Sequence, residues 1–152
     1  MIEFLYKRKL WELIFGLLII LCLINYIILF HGFKGVTQLE AVKRDAFFPK
    51  GYIIGIVWTI LMIVQVWIFK KTKKYSNRKL LLFLILACIT YPVYTKGFSD
   101  LTLVILGNLF TIIYSSFVAG NFFQVRSCLF YGILLIPIWI SFVTYLMFSV
   151  YS

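Results

Sequence analysis

The chain has 152 residues, of which 63% are hydrophobic and only 13% charged, and its mean hydropathy is +1.02. Soluble domains run at roughly 45–50% apolar and about 25% charged, so this composition excludes a water-soluble globule and demands a bilayer. The net charge of +10 does not point to nucleic acid, because the basic residues gather in short runs between apolar stretches, as topology determinants and anionic-lipid contacts do.

A helix crossing the hydrocarbon core needs about 20 mostly apolar residues. Taken in order, the spans fall at about 10–30, 51–70, 80–96, 101–123 and 127–149, with residues 31–50 as a long first loop. The expected fold is all-α, a polytopic membrane protein with a single bundle of five transmembrane helices. The first span follows Lys7-Arg8-Lys9 and resembles a signal peptide, but its apolar run is long and no small-residue cleavage site follows, so it reads as a retained helix. From Leu101 onward the only charge is Arg126, and one helix of that length would extend more than twice the bilayer thickness. Gly120, Asn121 and Arg126 mark the turn that divides it. The third span is short, with Lys79 and Lys96 placed to snorkel and Tyr91 and Tyr94 suited to an interface.

With five spans, 10 of the 15 Lys and Arg residues lie on the side of the N-terminus. The positive-inside rule then puts the N-terminus in the cytoplasm and the C-terminus outside, in a membrane read as a bacterial cytoplasmic membrane. The span interiors contain no ionisable group other than cysteine and tyrosine, which argues against ion-coupled transport. HExxH, P-loop, GxSxG and paired-carboxylate patterns are absent, so the chain reads as more a binder than an enzyme. Cys22, Cys88 and Cys128 read as small buried hydrophobes, and His31 as an interfacial polar residue rather than a haem ligand. Leu86, Tyr91 and Lys96 fit a loose sterol pattern that chance explains.

The second span is the most informative. At 100° per residue, Gly51, Gly55, Trp58, Met62 and Gln65 fall within about 80° on one face. Glycine notches there serve either close helix packing or a slot for a flat apolar ligand, with Trp58 to stack and Gln65 to hydrogen-bond. The fourth span carries a stripe of Asn108, Thr111, Ser115 and Ala119, read as helix-contact glue.

The stretch from Ala41 to Leu61, with Pro49, Gly51, Gly55, Trp58, Thr59 and Leu61 in register, resembles the signature of the translocator protein family, the tryptophan-rich sensory proteins or peripheral benzodiazepine receptors. A second match, Leu134-Leu135-Ile136-Pro137 followed by Phe142 to Leu146, is similar to the family's last span, and Trp139 falls near its tryptophan if two residues are missing between the halves. Departures concern the pocket. Phe47 and Tyr52 replace tryptophans, Lys50 a proline, Met62 a tyrosine, and Asn108 stands near the family's aspartate. The resemblance implies a five-helix bundle, commonly a homodimer, binding a hydrophobic planar ligand under the first loop. A porphyrin or haem leads, bound non-covalently. The implied lining is Trp58, Gly55, Phe47, Pro49, Tyr52, Met62, Gln65, Trp139 and Asn108, with membrane lipids as the other partner and no metal or catalytic residue. Two alternatives remain open: a photo-oxidative porphyrin-degrading enzyme, and a structural or assembly protein whose pocket has decayed.

Overall fold

The computed structural model describes residues 1–30, 51–93, 101–123 and 127–151. These form six helices: α1 (Ile2–Lys7), α2 (Leu10–Phe30), α3 (Gly51–Lys71), α4 (Tyr75–Pro92), α5 (Leu101–Phe122) and α6 (Ser127–Tyr151). No strand occurs among the described residues. Hydrocarbon offers backbone groups no hydrogen bonds, so segments this apolar must satisfy them internally, as helices do.

Within α2, α3, α5 and α6, the stretches Leu10–Ile27, Tyr52–Lys71, Thr102–Phe122 and Cys128–Leu146 are long and apolar enough to cross a membrane. The chain is therefore an all-α polytopic membrane protein. Helix α4 has 18 residues and carries Asn77, Arg78 and Lys79 close to its start. It begins at Tyr75, five residues before the expected Leu80, because counting charge-free residues set aside a basic first turn that is helical. The sixth helix is the short α1, where hydropathy alone marked nothing.

The helices pack pairwise around one core. α5 lies most intimately on α6, α4 on α5, and α3 on α2, α4 and α6. Outward faces are apolar: Ile56 and Ile60 on α3, Phe110, Ile113 and Phe117 on α5, and Ile138 and Phe142 on α6 are all exposed. Such a surface suits lipid tails. Cys22 and Cys128 belong to it, so the reading of the three cysteines as buried holds only for Cys88.

Polar side chains tie the helices together. Asn108 Nδ2 on α5 donates to Thr144 Oγ1 on α6 at 2.9 Å, and Tyr114 Oη on α5 donates to the Leu80 carbonyl on α4 at 3.1 Å. The expected stripe of Asn108, Thr111, Ser115 and Ala119 is buried throughout. Thr111 and Ser115 return their hydroxyls to carbonyls of their own helix at 2.8 and 2.6 Å, which lets small residues face a neighbouring helix with their polarity already satisfied.

A second knot fastens the N-terminus. Lys70 Nζ donates to the Arg8 carbonyl at 2.6 Å and also to the Tyr6 carbonyl, closing the C-terminal end of α1 with a cation. Arg78, buried at 8% exposure, pairs with Glu3 at 3.1 Å and lies 4.0 Å from the centroid of the Tyr6 ring. Its Nη2 donates to the Lys73 carbonyl at 3.3 Å. Glu3 is half exposed, so the ion pair itself contributes only ~0–1 kcal/mol. Its larger effect is to give a buried guanidinium a counter-charge.

Small-xxx-small spacing had singled out Gly51 and Gly55 as a close-packing notch, yet a Cβ built on Gly55 meets nothing within 4 Å. The close approach is at Gly132 on α6, where a Cβ would stand 2.8 Å from Ile68 Cδ1 and 3.3 Å from Val64 Cγ1, both on α3. Gly132→Leu should therefore separate α3 from α6 and lower the unfolding temperature in detergent by several degrees, since overpacking costs about 1–3 kcal/mol. Gly55→Leu should leave it nearly unchanged, and thermal unfolding of the two variants side by side checks the pair.

Candidate ligand site

The buried side of α3 reads Trp58, Leu61, Met62, Gln65 and Phe69, residues three and four apart that fall on one face and turn toward the core. Trp58 is 5% exposed, Met62 and Gln65 0%. This places three of the expected site residues on one inward stripe. Gly55, one turn earlier, is exposed, and Tyr52 is 64% exposed. The notched face is thus buried along its lower turns and open at its entry turn. Phe47 and Pro49, expected in the lid, lie outside the described residues, as do His31 and Lys96.

Trp58 does not face an empty slot. Tyr91 of α4 stacks on it with ring centroids 4.2 Å apart and planes inclined by 28°. Tyr91 is 7% exposed, so its expected place at the membrane interface is corrected: its ring belongs to the core. Spacing could have shown this, because Leu81, Leu84, Cys88 and Tyr91 recur three and four residues apart and are all buried. The loose sterol pattern fails on the same ground. Leu86 is exposed and Tyr91 buried, so the two do not share a surface.

Four buried polar atoms around this core meet no hydrogen-bond partner: Trp58 Nε1, Gln65 Oε1, Asn108 Oδ1 and Trp139 Nε1. All four belong to residues expected in the site from sequence. Gln65 Nε2 donates to the Gly132 carbonyl at 3.1 Å, which fixes the amide between α3 and α6 and leaves its oxygen orphaned. Asn108 spends its amide nitrogen on Thr144 and keeps its oxygen free. Trp139 on α6 packs at the edge of the core, with its ring 5.8 Å from that of Phe142. Its ring nitrogen lies inside the protein.

In low dielectric an unpaired donor or acceptor costs about 1–3 kcal/mol. Two indole donors and two amide acceptors left unmade are therefore a standing cost, and a polar ligand would offset it. They are not one contiguous cluster by contact: Trp58 joins Tyr91, Gln65 joins Gly132, and Asn108 joins Thr144. The arrangement offers an aromatic wall and separated polar handles. It includes no nucleophile–base pair among the described residues.

The model of the TspO/MBR family matches residues 17–152. No curated protein and no solved structure matches the chain.

A double-mutant cycle on Asn108→Ala and Thr144→Val should return a coupling of about 0.6 kcal/mol, the ordinary size for an interhelical hydrogen bond in a membrane. Unfolding in mixed micelles of the wild type, both single variants and the double variant measures it.

Proposed function

The chain belongs to the TspO/MBR family, and from that premise we propose that it binds a hydrophobic planar ligand, a porphyrin or haem, against the Trp58 side of α3 beneath the first loop. Family and apolar helices together make it an integral membrane protein of receptor or transport type. One observation carries the finer reading: Trp58, buried and stacked on Tyr91, holds its Nε1 without a partner. A flat ring can extend such an aromatic stack, offset faces being the favoured geometry.

The polar handles suit the same chemistry. Indole N–H groups donate, as a porphyrin carboxylate requires, while the oxygens of Gln65 and Asn108 would accept from a protonated carboxyl or an ordered water at its edge. Met62, fully buried beside Trp58 on the stripe, adds polarisable surface. Phe47, Pro49, Tyr52 and Gly55 would form the lid and entry. The same reading includes a homodimer, for which the exposed apolar helix faces leave room. It also includes an N-terminus in the cytoplasm, following the excess of Lys and Arg on that side.

Protoporphyrin titrated into the purified protein should quench tryptophan fluorescence saturably. Trp58→Phe keeps an aromatic ring but removes the N–H, and should weaken binding roughly 2- to 10-fold, the range one hydrogen bond supplies. Gln65→Leu removes the orphaned acceptor together with the hydrogen bond to Gly132, two effects of opposite sign on stability, and should lower affinity while shifting the unfolding temperature of the unliganded protein only slightly. Quenching that never saturates, or that is the same in Trp58→Phe, would reject the reading and leave the buried polar atoms as helix contacts alone.

A further inference from the structure

At the end of the bundle where α3 turns into α4, away from the Trp58 site, a cavity of about 400 Å³ opens between helices. That volume is within the range of small-molecule sites, about 300–1,000 Å³. Its rim is basic, with Lys71, Lys73 and Lys74, and its floor is apolar, with Phe122 of α5 and Leu129 of α6. Thr72 and Asn77 complete the wall. Among the described residues no carboxylate lines it. Of the acids near this end, Glu3 is engaged with Arg78 and Glu12 lies 3.9 Å from Arg8, so three lysines share one concavity without a counter-ion among the described residues.

The backbone is arranged to match. Helix α4 starts at Tyr75, and its N-cap Lys74 makes no side-chain capping bond, so the first-turn N–H groups point outward with the positive end of the helix dipole. Asn77, in that turn, is only 5% exposed and lines the cavity. Its Oδ1 accepts from the Ser76 hydroxyl at 3.5 Å, so the donor it can offer a ligand is the amide nitrogen. The turn is pinned rather than loose: Thr72 donates to the Ile68 carbonyl at 2.8 Å, and Arg78 holds the Lys73 carbonyl. Of the cations not on the rim, Lys70 and Arg78 are committed to α1, and Lys79 lies over the Tyr75 ring.

We propose that this cavity is a phosphate site, built to take the phosphate of an anionic amphiphile. Lys71, Lys73 and Lys74 neutralise the phosphate, the buried Asn77 amide and the α4 N-terminus donate to its oxygens, and Phe122 and Leu129 receive the start of an acyl chain. An apolar floor under a cationic rim separates this from general attraction to a charged surface, since a free ion has no use for the floor. It is independent of the porphyrin reading, from which it differs in residues and end of the bundle.

The test is calorimetric titration of the full-length protein in neutral detergent with dioctanoyl phosphatidylglycerol, dioctanoyl phosphatidylcholine and inorganic phosphate. Saturable binding of phosphatidylglycerol in preference to phosphatidylcholine is expected. Lys73→Gln/Lys74→Gln, both at exposed positions, should weaken it roughly 30-fold, taking the ordinary effect of one lysine near anionic lipid for each. Lys7→Gln/Lys9→Gln removes equal charge outside the cavity and should change affinity less than about threefold, by long-range screening alone. Asn77→Leu should abolish the preference for phosphatidylglycerol. Inorganic phosphate that competes identifies a site for phosphate from either source, and phosphate that does not compete restricts it to the lipid headgroup. Equal weakening by the two lysine pairs, or unsaturable binding, overturns the proposal.

Discussion

Hydrocarbon cannot hydrogen-bond, and the rest of the structure follows from that constraint. It forces every long segment into a helix, and it makes each polar side chain inside the bundle answer for its place. Most do so locally. Thr59, Thr72, Thr111, Ser115 and Thr144 each return a hydroxyl to a carbonyl of their own helix. Asn108, Gln65 and Tyr114 reach across to a neighbouring helix and fix how the helices sit. Apolar contact alone would set these positions weakly, since lipid tails compete with leucine for the same surfaces.

The fold was legible because its cause is crude. Charge-free runs of the right length give the helices, and the long stretch from Leu101 had to be divided for reasons of length alone. What eluded the sequence was polar and local. Arg78 and Lys70 counted there as loop charges, yet Arg78 is buried against Tyr6 and Glu3, and Lys70 closes the end of α1. A guanidinium with both an acid and an aromatic ring in reach can fold into the protein, and hydropathy has no access to that pairing. Likewise Gly132 is the tight contact rather than Gly55, because closeness depends on what the opposing helix presents, here Ile68 and Val64.

The candidate site was legible in its members more than in its form. Trp58, Met62 and Gln65 share one buried stripe, as helical spacing requires, while Tyr52 and Gly55 lie on the exposed entry turn. Tyr91 was misplaced because a tyrosine near a helix end suits an interface on average, and only the packing of α4 against α3 shows its ring lying on the indole. Orphaned atoms were beyond sequence altogether. Whether the oxygen of Asn108 is satisfied depends on Thr144, 36 residues away, having a single proton to give, which it spends on Ile140.

The two ends of the bundle treat polarity in opposite ways, and the difference bears on what each can bind. Around Trp58 the unmatched groups are neutral, buried and few, so a ligand gains there through dispersion and directional hydrogen bonds. At the α3–α4 turn the unmatched groups are cations at a rim, and a ligand gains there only by bringing negative charge. Helix α1 stands outside the family match but enforces this separation. By taking up Lys70 and Arg78 it holds two cations away from the apolar core, and Lys71, Lys73 and Lys74 are left on the cavity rim. A bundle whose basic end were neutralised throughout would lose its means of holding a headgroup, and one whose core were fully hydrogen-bonded would lose its reason to hold a polar ring.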